Sequence, residues 1–310
     1  MLYKLYTHND LDGVACAILA KLLWGEGVEI VYCNSPDDVT NHLLDDDNRH
    51  CDLVFITDCS FDYNRLTSRQ VLNKVRLFDH HATALPLADK SDYFVVKTHR
   101  EDGKPTCGAE VFYEYLKNRR GFTLNCDWFV EQVRLYDTWD WTKGSSKTPK
   151  YLSMLLYTNS INHFVDSFVK KLKLLRLSEL NVFSEKERTI LEYEESRQTK
   201  TIDKALKNCY IVYAGDYIYG IIFGEYDMSI LGNAICNKYN VDIAMCINLN
   251  TEIMSVRTTR DDIDLGKLMK EQYSGGGHPK SAGTPITDKA YETVKNILKD
   301  DIDIFRRCPK

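Results

Sequence analysis

Along the first eighty residues the spacing of apolar and polar positions changes several times, and each change marks an element. Residues 2–7 alternate with period two, the pattern of a strand. From Val14 the apolar residues recur at 14, 18 and 22 and at 15, 19 and 23, which is helical spacing. A strand, the acidic loop His8-Asn9-Asp10-Leu11-Asp12-Gly13 and a helix therefore follow in order. Residues 29–33 read as a second strand, 37–44 as a short helix and 52–57 as a third strand ending at Asp58. Residues 63–72 read as a helix leading to a fourth strand at 75–78, which ends in Asp79-His80-His81. This alternation predicts an α/β fold with a parallel sheet and right-handed crossovers.

Farther on, an amphipathic stretch with apolar residues at 128, 129, 130 and 133 leads to Asp137. Residues 155–177 are helical in pattern, and their basic segment Lys170-Lys171-Leu172-Lys173 reads as a solvated face. Residues 184–206 are highly charged and helix-prone, the character of a connector. Strands are expected over 209–213, 219–223, 243–249 and 253–256, with a helix near 229–238. The expected organisation is an N-terminal parallel-sheet domain over 1–180, a helical connector over 181–207 and a smaller C-terminal α/β domain over 208–310.

Composition narrows the function classes. No apolar run approaches the roughly 18 residues of a membrane span, and Lys4, His8, Asp10 and Asp12 interrupt the first twenty residues as a signal peptide would not. A cytoplasmic protein without a membrane partner is expected. The ten cysteines are scattered without a Cys-x-x-Cys pair, so they are expected to be reduced, buried small residues. A net charge of −5 argues against coating duplex DNA, which needs many cations, but it suits a small anionic substrate held locally.

In such a sheet, strands one, three and four would carry Asp10 and Asp12, Asp58, and Asp79, His80 and His81 to their C-terminal ends, where open α/β sheets bind ligands. Each group has a plainer reading. Asp12 could cap the first helix, Asp10 could form a turn, and the two histidines could be loop residues with local hydrogen bonds. Crowded carboxylates repel one another unless a cation lies among them. A set of carboxylates and imidazoles without thiolate suits manganese, with magnesium, iron or cobalt as substitutes, better than structural zinc. Cys59, one residue beyond Asp58, is expected to be buried or incidental, because it points to the opposite face. The second informative stretch is Ser274-Gly275-Gly276-Gly277-His278. Its glycines allow backbone N–H groups to approach an oxyanion, with His278 as a further donor, unless the stretch is simply a tight surface turn.

Taken in order, His8 to Gly13, Asp58 and Asp79-His80-His81 resemble the first three motifs of the DHH phosphoesterase superfamily. Asp137, in Leu135-Tyr136-Asp137-Thr138-Trp139, matches the fourth, with Asp140 as the fallback. Ser255-Val256-Arg257-Thr258 and the Gly-Gly-Gly-His at 275–278 resemble elements of the DHH-associated C-terminal domain. The resemblance covers both halves of the chain and leaves the connector unmatched.

The resemblance implies two divalent metal ions, with Mn2+ favoured and Mg2+ or Co2+ as substitutes. Asp10 would hold one and Asp12 the other, with Asp58 between them and His80 and Asp137 completing the second site. His8 joins the metal set, although it stands nearer the first aspartate than in many relatives. His81 would sit beside the substrate phosphate or orient the site and, with Asp58, belong to the catalytic group. Arg257, His278 and the backbone of Gly275, Gly276 and Gly277 would grip phosphate from the opposite domain, across an active site between the two.

The implied chemistry is hydrolysis of phosphodiester bonds without a serine or cysteine nucleophile. The Gly-Gly-Gly-His element disfavours the pyrophosphatase branch, and neither length nor charge leaves room for the extra nucleic-acid modules of a processive nuclease. A nanoRNase-like exonuclease releasing mononucleotides from short single-stranded oligonucleotides or linear dinucleotides is therefore expected. Alternatives are a cyclic-dinucleotide phosphodiesterase, a RecJ-like single-stranded DNA exonuclease, a 3′,5′-bisphosphate nucleotide phosphatase, or a catalytically silent nucleotide-binding module. A homodimer is compatible with the chain.

Overall fold

The period-two run becomes strand β1 (Tyr3–His8) of a five-stranded parallel sheet. The computed structural model describes residues 1–45, 48–66, 70–117, 124–174, 177–286 and 306–307. It divides into two compact units, Met1–Glu192 and Tyr193–Lys310.

In the first unit β1 is followed by α1 (Leu11–Trp24), β2 (Val28–Cys33), α2 (Pro36–Asp45), β3 (Leu53–Thr57), β4 (Val75–Asp79), the short α3 (Leu85–Ala88) and β5 (Phe94–Val96). Helices α4 (Gly108–Lys117), α5 (Leu124–Asp137), α6 (Thr148–Thr158), α7 (Ile161–Leu174) and α8 (Glu185–Leu206) complete it, the division between the units falling within α8. The strand order is β2-β1-β3-β4-β5, every neighbouring pair parallel. The chain thus steps from β1 to one side and returns to the other. That places the topological switch, where such sheets bind ligands, between the ends of β1 and β3.

Both faces of the sheet are covered, as a parallel sheet requires. Leu5, Phe55 and Phe78 pack with α1, α4 and α5 on one face, whereas Tyr6, Val54, Ile56 and Leu77 pack with Val39 and Leu43 of α2 on the other. Helix α1 is buried from Leu11 to Ala20 because α4, α5 and α7 surround it.

Two helix expectations are revised. Residues 63–72 do not form an α-helix among the described residues: 3-10 turns occupy Tyr63–Arg65 and Gln70–Lys74, and 67–69 lie outside the description. Leu66, Val71 and Leu72 still pack on the sheet, so the burial that suggested a helix is met by tighter turns. The pattern at 155–177 is two helices, because Asn159 adopts an extended conformation and its side-chain amide donates to the Leu155 carbonyl. Residues 175–176 of that stretch lie outside the description. Its basic segment is not uniformly solvated either, since Lys171 bonds both carboxylate oxygens of Glu187 at 2.8 Å and Leu172 is buried.

The second unit contains β6 (Tyr210–Ala214), β7 (Tyr217–Phe223), α9 (Met228–Tyr239), β8 (Ile243–Asn248), β9 (Ile253–Arg257), α10 (Leu265–Tyr273), β10 (Gly276–His278), β11 (Ser281–Pro285) and β12 (Arg306–Arg307). They form a mixed seven-stranded sheet in the order β10-β11-β9-β8-β7-β6-β12, parallel only between β7 and β8. Helices α9 and α10 cover separate apolar clusters. Among the described residues no helix is long and apolar enough to cross a membrane. The nine described cysteines are all free and buried, Cys59 among them, and Cys308 lies outside the description.

Candidate metal centre

Parallel β1, β3 and β4 deliver their terminal side chains to one edge. Asp10, not Asp12, caps α1: its Oδ1 accepts the Gly13 N–H at 3.1 Å. Asp12 is thereby left in the first turn, buried, with a different task. Its Oδ2 accepts the N–H of Gly108 at 2.6 Å and its Oδ1 that of Ala109 at 2.8 Å. These are the first amides of α4, whose positive end suits a carboxylate.

Asp58 follows β3 with φ of 52°, a left-handed conformation uncommon outside glycine but tolerated by aspartate. Its N–H donates to the Phe78 carbonyl of the neighbouring strand at 3.0 Å. Asp79 ends β4 and organises the two histidines after it. Its Oδ1 accepts the His80 N–H at 2.7 Å and pairs with His81 Nδ1 at 2.8 Å.

The structure brings five of the expected metal residues together. His8 Nδ1 lies 2.9 Å from Asp10 Oδ2 and 4.0 Å from Asp58 Oδ2. His80 Nε2 lies 3.2 Å from Asp58 Oδ1 and 3.7 Å from Asp12 Oδ2. His8, Asp10 and Asp58 form one triad able to hold a metal, and Asp12, Asp58 and His80 form another, the ligand atoms of each lying within 4.8 Å of one another. A third grouping joins Asp58, Asp79 and His81. Asp58 is common to all three. Asp137, the last residue of α5, lies outside these triads, with its Oδ2 3.7 Å from the other ring nitrogen of His80. The fallback Asp140 is committed elsewhere, to Arg134 at 3.0 Å and Lys143 at 2.7 Å.

The electrostatics of this cluster are those of a cation site. Burial, followed by the charges of Asp12, Asp10 and Asp137, pushes the Asp58 carboxyl well above the usual range. Its Oδ2 is buried without a hydrogen-bond partner. Burial and the same two neighbours, Asp12 and Asp10, also raise Asp137. Burial would raise Asp10 too, but its hydrogen bond and charge pairing with His8 outweigh it and hold the group low. Burial and the charge of His81 lower His80, favouring the neutral imidazole that a metal needs. His81 goes the other way: burial opposes its charge, yet the bond to Asp79 raises it to about 9. A ring of oxygen and imidazole donors with an orphaned buried carboxylate oxygen fits divalent ions.

Gly108 escapes sequence reasoning. A Cβ there would stand 2.6 Å from Asp58 Cβ and 3.1 Å from Asp12 Oδ2, so only glycine lets α4 reach the cluster. Its sole sequence signal is a glycine ahead of a helical stretch.

Arg257, Gly275, Gly276, Gly277 and His278 belong to the second unit. Arg257 ends β9, its Nη1 bonded to the Val256 carbonyl and its Nη2 3.4 Å from Ser229 Oγ. The glycines are not an open loop. Gly275 gives its N–H to the carbonyl of Met269 within α10, which removes it from the expected oxyanion donors, and Gly276–His278 is a strand paired with β11. Gly277 requires its residue type, having φ of 138° and only 2.5 Å between a would-be Cβ and the Ser281 carbonyl oxygen.

The DHHA1 domain family matches residues 215–305. The chain is 32% identical over 304 residues to the oligoribonuclease NrnB of Bacillus subtilis, covering 94% of this chain and 74% of that protein. Its fold is similar to that of the pGpG-specific phosphodiesterase PggH of Vibrio cholerae, with a TM-score of 0.57 and 16% identity over 98% of this chain and 100% of that one. It is also similar to RecJ of Thermus thermophilus solved with Mn2+, with a TM-score of 0.52 and 15% identity over 98% of this chain and 52% of that one.

Proposed function

The chain belongs to the DHH phosphoesterase family and is a metal-dependent phosphodiesterase, and from that premise we propose that it hydrolyses short single-stranded oligonucleotides or linear dinucleotides to mononucleotides, with manganese as the favoured ion. The pair of ligand triads sharing Asp58 carries the chemical part of this reading. The identity to an oligoribonuclease supports the substrate part.

His8, Asp10 and Asp58 would hold one ion; Asp12, Asp58 and His80, with Asp137 beside them, would hold the other. Bound there, such ions supply Lewis acidity and activate water for attack on phosphorus. The amides of Gly108 and Ala109 hold Asp12 in place. Asp79 fixes His81 and keeps its imidazole protonated near neutrality, suited to stabilising charge on a phosphate oxygen. Arg257 and His278 supply cationic and neutral donors for a substrate phosphate, the guanidinium fork matching two oxygens. In this reading residues 1–180 carry catalysis, 181–207 connect and 208–310 bind substrate.

The test is a panel of RNA and DNA of two to twenty nucleotides, cyclic dinucleotides and adenosine 3′,5′-bisphosphate, incubated with the purified protein and Mn2+ and resolved by size. The expected result is mononucleotides, formed fastest from the shortest linear substrates. Binding without manganese-dependent turnover would establish the silent module instead, and cleavage confined to cyclic dinucleotides would establish that alternative.

A further inference from the structure

Register in the second sheet sorts the residues around Arg257 into rows. His278 pairs with Ser281, Ser281 with Arg257 and Arg257 with Ala244, while Gly276, Gly283, Ser255 and Cys246 form the adjacent row two residues along. Ile253 and Asn248 are partners in the row beyond. Directly opposed residues share a sheet face, so Arg257, Ser255 and Ile253 stand on one side of β9 at intervals of about 7 Å. A cavity of about 170 Å³ opens beyond Arg257, lined by Tyr226, Met228, Asn248, Thr251, Ile253 and Ser255.

We propose that this cavity is a nucleobase subsite, receiving the base of the nucleotide whose phosphate Arg257 and His278 hold. The inference rests on the phosphate role given to those two residues above. The cavity is comparable in size to one of about 150 Å³ that accepts benzene, so it admits one six-membered ring, a whole pyrimidine or the six-membered part of a purine. Its walls have the chemistry of a base site. Tyr226 supplies an aromatic face for stacking, and Met228 and Ile253 supply apolar edges. Tyr226 lies close against Gly224, whose φ is 137° and where a Cβ would meet the Tyr226 ring at 2.8 Å. Asn248 Oδ1 accepts the N–H groups of Asn250 and Thr251 at 3.0 and 3.3 Å. Those two donors settle which amide atom is oxygen and leave the Asn248 NH2 for a ring nitrogen or carbonyl of the base. The hydroxyls of Ser255 and Thr251 add donors or acceptors. Ser255, which lines the cavity, stands one row, about 7 Å, from Arg257, a spacing that suits one sugar between base and phosphate.

The test uses calorimetry on the full-length protein with metal chelated, comparing uridine and adenosine 5′-monophosphates with ribose 5-phosphate. The nucleotides are expected to bind at least about tenfold more tightly, in keeping with one stacked base. Tyr226→Leu should reduce that preference to about twofold or less while retaining ribose 5-phosphate affinity, and should raise KM for a dinucleotide without lowering kcat. Asn248→Asp keeps the turn acceptor but removes the donor, and should change the ranking of the two bases. Equal binding of nucleotide and ribose 5-phosphate, or an undiminished preference in Tyr226→Leu, would overturn the proposal while leaving the phosphate reading intact. Failure of all three ligands to bind would overturn both.

Discussion

The N–H of Gly108 donates to the Asp12 carboxylate at 2.6 Å across 96 positions of sequence, joining the first turn of α1 to the start of α4. A methyl group at 108 would collide with the Cβ of Asp58, which the backbone holds in place. Gly108→Ala is therefore expected to displace two carboxylates at once. Manganese affinity and turnover should each fall by about 10- to 100-fold, the scale of losses when supports of metal ligands are changed, with the far-ultraviolet circular dichroism spectrum retained. A variant binding manganese normally would refute this role.

Replacing Asp58 is expected to change activity and stability with opposite signs. Asp58→Asn removes a buried charge that Asp12, Asp10 and Asp137 disfavour, so chelator-treated protein should melt about 1–2 °C higher, as ~1 kcal/mol gives for a chain of this size. Turnover should drop by more than about 100-fold. Differential scanning calorimetry beside a dinucleotide assay tests both.

The metal-free and manganese-loaded proteins should respond to pH in opposite directions. Asp58 and Asp137 have folded-state pKa values above their unfolded ones. The stability they contribute is complete below about pH 4 and is lost as pH rises through the raised values. His81 behaves alike, losing its contribution as pH passes about 9, whereas His80 opposes the trend, and Asp10 and Asp79, held low, oppose it only below about pH 4. Acidifying chelated protein from pH 8 to 5 should thus raise its Tm. Saturating Mn2+ should reverse the slope, because the metal requires deprotonated ligands. Parallel melting curves would contradict the assignment.

Asp137 and Asp140 separate by position. Asp137 lies against His80, so Asp137→Asn should reduce turnover by more than about 100-fold. Asp140→Asn weakens a pair with buried Arg134 instead, costing about 1–2 kcal/mol in urea unfolding with turnover unchanged. Exchanged phenotypes would make Asp140 the ligand.

At the start of α8, Glu187 accepts the Ser184 N–H at 2.7 Å, Ser184 Oγ accepts the Glu187 N–H at 3.3 Å, and Lys171 grips the same carboxylate. Losing this capping box and its partly buried ion pair in Glu187→Ala should cost about 1–3 kcal/mol. Lys170→Ala, on the exposed side of α7, should change stability by less than about 0.5 kcal/mol. Denaturant titrations of the two variants compare them directly.

Local spacing made most of the first sheet legible. The run 2–7, the helix from Val14 and the strands before Asp58 and Asp79 each carry their own period, and three strands ending in carboxylates expose the chemistry of the edge. What sequence could not carry is partnership across distance. Nothing near Asp12 announces the amides of α4, and nothing near Lys171 announces Glu187. Short-range competition was equally hidden at Asn159, whose side chain satisfies a helix-end carbonyl and breaks a continuous apolar pattern in two.

The strand order has a consequence for synthesis. A growing chain exposes Asp10, Asp12, Asp58 and His80 well before α4 and α5 leave the ribosome. The carboxylates of the early strands therefore wait, mutually repelling and without their amide partners, until Gly108 and Asp137 emerge. Assembly of the candidate metal centre therefore waits for α5, and such non-local closure is intrinsically slow.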